Sequence, residues 1–399
     1  MPLSNLRVID AATLIAGPLI ATRLGDFGAD VIKIEHPHKE DGARSISLKK
    51  DGVPLMWKWL SRNKRTITLN LKDRIDQEVF LDLIKTSDVL IENFRPGTME
   101  KWGLGYEKLS EINPRLIMVR VTGYGQTGPY ANRPGFGTIA EAMSGFADMT
   151  GFPDSPPTLP PFALADTVAS LQGTYAVMMA LYHRDVHSGK GQCIDISIRD
   201  SMFDFLGSQA TDYDALRYIP KRMGNRTPNS APRNLYETKD GKYVCLSGSA
   251  QTITERIFKI IGRDDMITDP KFATNDARLK NVDELDRIIG DWIKKHTRDE
   301  VIDIFSKEEA AIGPVYNIED IFNDPHFRAR QTIVEIEDPE LKTVKMQNIV
   351  PRLSETPGKI KFSGRKKGAF NREVLSELGY SEEKVKQILN NQQGKGGFS

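Results

Sequence analysis

The first 35 residues show a strand, helix, strand pattern, which restricts the fold more than any other feature of this chain. Leu6 to Ala12 is an apolar run typical of a buried strand. A Gly17-Pro18 turn then opens a helix to about Phe27, and the run DVIKIE at 30–35 is a second strand. Because two strands joined by a helix pair in parallel, this opening predicts an α/β fold with a parallel sheet and crossover helices.

Further short apolar runs extend this pattern through the first half of the chain. They lie at 66–71, 88–92, 116–122 and 193–198, and helix-like segments separate several of them. We therefore predict an open, mostly parallel sheet for this part of the chain.

The chain of 399 residues is long enough for two or three domains. Residues 1–205 are predicted to form the first part of a large domain, and a connection at 206–235, rich in Gly, Asn and Pro, is predicted to be a linker. Residues 236–312, with one strand and several amphipathic helices, are predicted to form a smaller α+β domain. Residues 313–399 are predicted to form a further linker and a return of the chain to the large domain, and the ending GKGGFS is predicted to be disordered.

Positive and negative side chains nearly balance, with 55 Lys+Arg, 54 Asp+Glu and a formal net charge of +1. No basic arm or stripe of basic and aromatic residues is present, so nucleic acid is not an expected partner. No apolar stretch reaches membrane-spanning length, so a membrane is not expected as a partner either. Local basic positions still suit a small phosphorylated ligand.

The few cysteines and histidines indicate neither a disulfide framework nor a metal site. Cys193 and Cys245 lie far apart in strand-like runs, which is consistent with a reducing compartment. His183 and His187 have helical spacing, but no acidic third ligand stands near them in a recognisable motif. Since the N-terminus also runs directly into a strand, we expect a cytoplasmic protein without a bound metal.

Asp166 lies between a proline-rich segment and a helix of small residues. Five prolines between 153 and 161 prevent regular structure up to about Phe162, and from Thr167 the chain is rich in Ala, Leu and Met. A carboxylate at a helix start accepts from free backbone N–H groups and interacts favourably with the helix dipole, and both effects favour its ionised form. The position indicates either a simple N-cap or an oxygen nucleophile, and the local sequence leaves both open.

Two loops follow predicted strands and would lie at the carboxyl edge of the sheet, where ligands bind in open α/β folds. The loop GYGQTGPYANRPGFG contains Arg133, a candidate phosphate ligand, and leads to Glu141 near a helix start, where dipole stabilisation is the simpler role. In the other loop, Asn93, Phe94 and Lys101 would suit an adenine ring and phosphates, although ordinary packing explains the same residues.

Two other turns are weaker candidates for ligand binding. The Gly17-Pro18 turn would bind an anion at a helix N-terminus, but the GxGxxG pattern of dinucleotide sites is missing and a structural turn is the alternative. In the run LSGSAQ at 246–251, the small residues around Gly248 would leave N–H groups open to a ligand or permit a lid to move. A plain turn explains this run equally well.

Several segments, taken in order, resemble the class III CoA-transferases, the group that includes formyl-CoA transferase and carnitine CoA-transferase. Together they span almost the whole chain. They are AGP…LGDFGADVIKIEHP, NKRTITLNLK, DVLIENFRPGTMEKWGLGYEKL, GYGQTGPYANRPGFG, ADTVAS, IGPVYNIEDIFNDPHFRAR and REVLSELGYSEEKV.

The resemblance implies a fold, a substrate class and a catalytic residue. The fold would be a Rossmann-like large domain built from both chain ends plus a smaller α+β domain, in an interlocked homodimer. No cofactor would be bound permanently, and coenzyme A thioesters and carboxylic acids would be the substrates. Asp166 corresponds to the family's nucleophile, and Gly248 to its glycine loop. The implied coenzyme A contacts are His36, Lys72, Asn93, Phe94, Lys101 and Arg133.

Three positions depart from the family pattern and bear on specificity. Ile15 replaces a glutamine found in some members, and His36 stands where formyl-CoA transferase has an arginine. Glu141 replaces a glutamine that precedes the small-residue helix. Ile15 and Phe136 together indicate an apolar patch beside the acyl group, which would suit a bulky or aromatic acid.

The resemblance predicts a transferase that moves coenzyme A from an acyl-CoA donor to a carboxylic acid through an aspartyl mixed anhydride and an aspartyl thioester. Succinyl-CoA is a common donor among such enzymes. One alternative is an α-methylacyl-CoA racemase, but this chain has Phe136 where racemases have a histidine, and phenylalanine cannot transfer a proton. The other alternative is a catalytically idle subunit that only binds coenzyme A.

Overall fold

The computed structural model describes residues 1–394, which divide into two compact units. The first unit comprises Met1–Phe146, Leu159–Thr211 and the described residues from Ala329 onward, and the second comprises Ala147–Thr158 and Asp212–Arg328. Of the ending GKGGFS, Gly394 is the last residue of a helix, and the remainder of this predicted disordered tail lies outside the described residues.

The strands of the described chain are β1 Arg7–Asp10, β2 Asp30–Glu35, β3 Lys49–Lys50, β4 Val53–Pro54, β5 Lys64–Thr68, β6 Val89–Glu92, β7 Ile117–Thr122, β8 Cys193–Ser197, β9 Arg233–Glu237, β10 Tyr243–Ser247, β11 Ile312–Pro314, β12 Ile333–Asp338 and β13 Lys342–Gln347. The α-helices are α1 Ala16–Asp26, α2 Leu55–Leu60, α3 Arg74–Lys85, α4 Thr98–Lys101, α5 Tyr106–Ile112, α6 Gly137–Met143, α7 Phe146–Met149, α8 Leu164–His183, α9 Ile198–Phe205, α10 Gln209–Leu216, α11 Gln251–Ile260, α12 Asn275–Lys280, α13 Val282–Ile293, α14 Arg298–Lys307, α15 Ile318–Asn323, α16 Pro325–Ala329, α17 Asn371–Glu377 and α18 Glu382–Gly394.

Six parallel strands form the main sheet of the first unit in the order β5-β2-β1-β6-β7-β8. The predicted parallel sheet is therefore confirmed, although the strand expected at 66–71 is shifted to Lys64–Thr68. Numbered along the chain, the strands have the order 3-2-1-4-5-6 of doubly wound nucleotide-binding sheets. The direction of winding reverses between β1 and β6, and this reversal opens a crevice at the carboxyl ends of these two strands.

Helices cover both faces of this sheet because its strands carry apolar residues on both sides. Val8 and Val31 face a core that α1 and α8 complete, whereas the next residues, Ile9 and Ile32, face α3 and the C-terminal helices. Such continuous apolar strands are typical of parallel sheets that are buried on both faces. Helix α8 packs against α1, α6 and α9, and these contacts fix its first turn beside the crevice.

The second unit contains a three-stranded antiparallel sheet in the order β11-β10-β9, packed against the amphipathic helices α11, α13 and α14. The segment 206–235, predicted as a linker, contains α10 and the start of β9. No helix in residues 1–394 is both long and apolar enough to cross a membrane.

Candidate active site

The crevice between β1 and β6 holds a cavity of about 180 Å³, which lies entirely within the first unit. Its walls come from the segments that follow β1, β6 and β7, from the loop before α6, and from the first turns of α8 and α9. The lining residues are Thr13, Leu14, Ile15, Ala16, Asn93, Phe94, Arg95, Pro96, Val121, Thr122, Gly123, Ala131, Arg133, Pro134, Gly135, Phe136, Asp166 and Ile198.

Asp166 lies in the first turn of α8 and is the one acidic residue among the described residues that line this cavity. Burial and, secondly, the negative charge of Glu141 raise the pKa of Asp166 to about 6. The expectation that the helix start would favour the ionised form is therefore wrong, because desolvation outweighs it. At pH 7 the carboxylate is still mostly ionised, and its higher basicity makes it a better nucleophile than an ordinary aspartate.

The helix-capping role predicted for Asp166 belongs to Glu141. The N-cap residue of α8 is Ala163, which has no side chain to accept a hydrogen bond. The Glu141 carboxylate, buried on α6, instead accepts the backbone N–H of Ala165 at 3.1 Å. Glu141 is the fifth residue of α6, so its predicted position at its own helix start is also wrong. Within the described chain Asp166 accepts no hydrogen bond, which leaves its carboxylate available to the cavity.

Gly137 lies directly against the Asp166 carboxylate. A methyl group on Gly137 would overlap Oδ2 of Asp166 and lie 3.0 Å from its Cγ. Any larger residue at this first position of α6 would thus displace the carboxylate. A second close approach, between Gly123 and Gly135, brings the loop before α6 against the end of β7, since a methyl on Gly123 would lie 2.7 Å from Cα of Gly135.

Another wall of this cavity is a short segment that follows β1, and Asn93 and Asp41 hold it in place. The Asn93 amide accepts from the N–H of Thr13 and donates to its carbonyl, both at 2.8 Å. Asp41 accepts the N–H of Leu14 at 2.9 Å, and Leu14 has a left-handed backbone with φ of 64°. A non-glycine residue is held in this conformation only where its surroundings impose it, so the segment is rigid.

Buried charged side chains also stabilise the segment that forms this wall. Lys33 bonds the carbonyl of Ala12 and lies 3.1 Å from Asp41, and Lys64 lies 2.8 Å from Asp10. The side chains of Lys33, Lys64 and Asp10 are completely buried. Because removing one member of such a pair leaves an uncompensated buried charge, we regard these ions as part of the framework of the site.

A second cavity of about 240 Å³ adjoins the same sheet edge and shares Thr13 and Phe94 with the first. His36, Lys39 and Lys72 line it, together with Trp102, whose ring contacts Phe94 edge-to-face at 5.0 Å between centroids. Its buried acids are already paired, Glu35 with Arg44 at 2.8 Å and Asp41 with Lys33. Glu40 is a further, exposed acid in the lining, and Lys39 and Lys72 outnumber it. The cavity therefore presents net positive charge and an aromatic surface, which suit phosphates and a purine.

Comparison with known proteins places this geometry in a family. The family model described as CoA-transferase family III matches residues 3–366. The chain belongs to CoA-transferase family III. It is therefore a CoA-transferase, as the sequence predicted.

Named relatives and solved structures agree with this assignment. The chain is 41% identical over 378 residues to succinyl-CoA–D-citramalate CoA-transferase of Chloroflexus aurantiacus, covering 94% of each chain. It is 43% identical over 393 residues to the beta subunit of succinyl-CoA–L-malate CoA-transferase of the same organism, covering 97% of each. The crystal structure of a CAIB/BAIF family protein from Brucella suis superimposes with a TM-score of 0.85 at 33% identity, covering 95% of this chain and 99% of that one.

The fold of this CoA-transferase brings together most of the predicted site residues, in two groups. Ile15, Asn93, Arg133 and Phe136 line the cavity that contains Asp166. His36 and Lys72 line the second cavity, and Phe94 lines both. Their roles in binding remain predictions.

Three predicted site residues do not join either group: Glu141, which caps α8 as described above, Lys101 and Gly248. Lys101 is the exposed last residue of α4 and lines neither cavity. Gly248 lies in the second unit, and its N–H donates to the carbonyl of Pro232 at 2.7 Å. This N–H is therefore not open to a ligand as predicted, and the role of Gly248 in a lid stays a prediction.

Sequence reasoning missed Gly137, Arg95, Thr13 and Lys39. Gly137 offered a usable signal, since a glycine at the start of a helix indicates a close backbone approach. Lys39 lies in a run of basic residues after β2. No local sequence pattern indicated that Thr13 or Arg95 belongs to the site, because the two residues come together only when β1 and β6 lie side by side in the sheet.

Neither cavity contains a metal site. Among the described residues, no group of three His, Cys, Asp or Glu side chains is placed to hold a metal ion. Cys193 and Cys245 are both free thiols.

Proposed function

We propose that this enzyme transfers coenzyme A from an acyl-CoA donor to a carboxylic acid through the carboxylate of Asp166. The observation that carries the proposal is the Asp166 carboxylate itself, unbonded within the described chain, with a pKa raised to about 6, in a cavity at the switch point of the sheet. Succinyl-CoA is the donor we favour, because the two relatives above are named for it.

The first half of the reaction loads coenzyme A onto the enzyme. Asp166 attacks the thioester carbonyl, which forms a mixed anhydride and releases the thiolate of coenzyme A. The thiolate then attacks the aspartyl carbonyl of the anhydride. The donor acid leaves as a carboxylate, and coenzyme A remains as an aspartyl thioester.

The second half reverses these steps with the acceptor. The acceptor carboxylate attacks the aspartyl thioester, which forms a new anhydride and again releases the thiolate. The thiolate attacks the acyl carbonyl, giving the new acyl-CoA and free Asp166. Exchange of a thioester for a carboxylate is nearly isoenergetic, so no ATP is needed.

We place the phosphates and adenine of coenzyme A in the second cavity. Lys39 and Lys72 supply positive charge there, and His36 would add a charge when bound phosphates favour its protonation. The paired rings of Phe94 and Trp102 supply a stacking surface. The pantetheine arm would pass Thr13 and Phe94, which line both cavities, to reach Asp166. In this placement Lys101 would contact coenzyme A only if its long side chain turned toward the bound ligand.

The site does not support racemisation. A racemase needs two groups that exchange protons on opposite sides of a carbon. Asp166 is the one described lining residue of its cavity that titrates near neutral pH. Phe136, which also lines the cavity, stands where the resemblance puts the histidine of racemases. An idle subunit is disfavoured as well, since an unpaired, half-buried carboxylate is costly to keep without a use.

We propose that the enzyme acts as a homodimer. Helix α8 carries an exposed apolar stripe, which is expected to be covered in a stable assembly. The stripe consists of Leu171, Tyr175, Met178, Met179 and Tyr182, which are 52%, 50%, 40%, 65% and 63% exposed. A second copy would bury this stripe in an interlocked dimer, as the family resemblance implies. Light scattering of the purified chain tests this, and a monomer would contradict it.

We also propose that the enzyme is cytoplasmic and that its first unit is the coenzyme A domain. The location rests on the two free thiols, which persist in reducing compartments. The domain role rests on the position of both cavities within the first unit.

Chemical trapping tests the proposed function. The enzyme is incubated with succinyl-CoA and then with hydroxylamine, and the modified residue is identified by mass spectrometry. We expect a hydroxamate at Asp166 in the wild type and none in Asp166→Asn, which should also lose transfer activity by at least about a thousandfold. An Asp166→Asn enzyme with full activity would refute the mechanism.

A further inference from the structure

The basic side chains at the sheet edge fall into two separate groups. His36, Lys39 and Lys72 line the second cavity, whereas Arg95 and Arg133 line the first cavity together with Asp166. The phosphates of coenzyme A account for the first group in the placement proposed above. They leave the two arginines beside the reacting carboxylate without an assigned ligand.

Both arginines have guanidinium groups free to bind an anion. Arg95 is exposed on the segment after β6 and makes no side-chain hydrogen bond or ion pair with the described chain. Arg133 is exposed as well, and its guanidinium stacks on the ring of Tyr130 at 3.8 Å from the centroid. Stacking fixes the plane of the group and leaves its N–H edge open, which favours bidentate binding of a carboxylate.

The remaining surface of the cavity suits a short hydrocarbon chain. Ile15, Val121, Phe136 and Ile198 are apolar, and the amide of Asn93 is already bonded to Thr13. A ligand that reacts at Asp166 and contacts an arginine would therefore have one carboxyl or thioester group, a few methylenes and a second anion.

We infer that Arg95 and Arg133 select acyl groups and acids that carry a second carboxylate, so that the substrates are dicarboxylic. The inference rests on the proposed function, which it makes specific. It replaces the sequence-based expectation of a bulky or aromatic acid, and it assigns Arg133 to the acyl group in place of the coenzyme A phosphates.

Isotope exchange between an acyl-CoA and its own free acid tests this without knowledge of the natural acceptor. Exchange is measured for succinyl-CoA with succinate and for butyryl-CoA with butyrate, which differ only in a carboxylate against a methyl at the far end. In the wild type we expect kcat/KM to favour succinate by about 100-fold. Where exchange of butyryl-CoA is too slow to measure, the inhibition constants of free succinate and free butyrate measure the same preference as a ratio of binding strengths.

The two arginine variants should lose this preference. In Arg95→Met and Arg133→Met, we expect the succinate-to-butyrate ratio to fall about 10- to 100-fold, the usual range for a hydrogen bond to a charged group. Lys72→Met is the matched control, since it removes a cation from the other cavity. It should raise KM for both thioesters equally and leave the ratio unchanged.

The outcomes separate this inference from the proposed function. An unchanged ratio in both arginine variants, or a wild type without preference for succinate, would overturn the inference. If hydroxylamine still traps Asp166 in that case, the proposed function stands. If neither acyl-CoA exchanges with its free acid, and hydroxylamine traps no modification of Asp166 with either one, the proposed function fails.

Discussion

The carboxylate of Glu141 lies 3.1 Å from the backbone nitrogen of Ala165, the residue before Asp166. This contact caps α8 from a neighbouring helix and places a negative charge beside the proposed nucleophile. Glu141 therefore acts on Asp166 in two ways, through the position of the helix start and through electrostatic repulsion that raises the pKa of Asp166.

Substitution of Glu141 should separate these two effects. Glu141→Gln keeps an oxygen that accepts the N–H of Ala165 but removes the charge, so the pKa of Asp166 should fall. The acid limb of kcat/KM, expected near pH 6 in the wild type, should move to lower pH with little change in stability. Glu141→Ala loses the cap as well, and its free energy of unfolding should fall by about 1–2 kcal/mol. An acid limb that stays at the same pH in Glu141→Gln would contradict the electrostatic effect.

Asp166→Asn should stabilise the protein while it abolishes transfer. The pKa of Asp166 is raised from 3.8 to about 6 on folding, so the folded state binds more protons than the unfolded state between these values. Stability therefore falls as pH rises through this window, and the cost is fully present above pH 6. Removing the charge should raise the free energy of unfolding at pH 7 by about 1–2 kcal/mol, less than the full shift because the side chain is partly exposed to solvent.

Urea unfolding at two pH values measures this change. The difference between Asp166→Asn and wild type should be present at pH 7 and vanish below about pH 3, where the wild-type carboxyl is protonated in both the folded and the unfolded state. A variant that is less stable than wild type at pH 7 would show that the carboxylate is not destabilising.

Gly137→Ala should reduce transfer without unfolding the enzyme. The new methyl would overlap Oδ2 of Asp166, so the carboxylate must rotate away from its reactive position. We expect kcat to fall about 100-fold, a typical cost of displacing a reacting group by about 1 Å. Gly313→Ala is the control, since a methyl there meets no atom within 4 Å and should leave kcat unchanged. Equal activity in the two variants would show that the Asp166 carboxylate tolerates displacement.

Binding of acyl-CoA should strengthen as pH falls, because of His36. Burial and the neighbouring cations His38, Lys39, Lys367 and Lys72 lower the pKa of His36 in the free enzyme. Bound phosphates would offset these charges and raise that pKa again, so binding takes up a proton. KM for succinyl-CoA should fall about three- to tenfold between pH 7.5 and 6.

Two controls assign this effect to His36. His36→Asn should show a KM that changes much less with pH, since any remaining dependence comes from the phosphates themselves. Succinyl-pantetheine, which lacks the nucleotide, should bind with no such dependence. A wild-type KM that is constant across this range would place the phosphates elsewhere.

The main sheet could be predicted from the sequence because its signals are local. The strands β1 and β2 and the helix between them follow from short strand-like runs rich in Val and Ile and from one turn, and the chain forms them where expected. The hairpin of β12 and β13 depends on strand pairing as well as on local sequence. Only β12 has a clear apolar run, and β13 forms because it pairs with β12.

The electrostatics of the site could not be predicted in the same way. The local sequence around Asp166 suggested a cap and an ordinary or low pKa. Glu141 is 24 residues from Ala165 in sequence, and its contact with that residue supplies the cap instead of Asp166. Burial and, secondly, the charge of Glu141 raise the pKa of Asp166. No local sequence pattern indicates that a helix from elsewhere in the chain will bury a carboxylate.

The sequence by itself determined the parallel α/β sheet, the family and Asp166 as the candidate nucleophile. These follow from periodicity, turn residues and ordered motifs, which depend on neighbours along the chain. The tertiary structure decided which residues surround Asp166, including Glu141, Gly137 and Arg95. The physical reason is that burial, close approach and charge coupling depend on distance in space, and the switch between β1 and β6 joins segments that are far apart in the sequence.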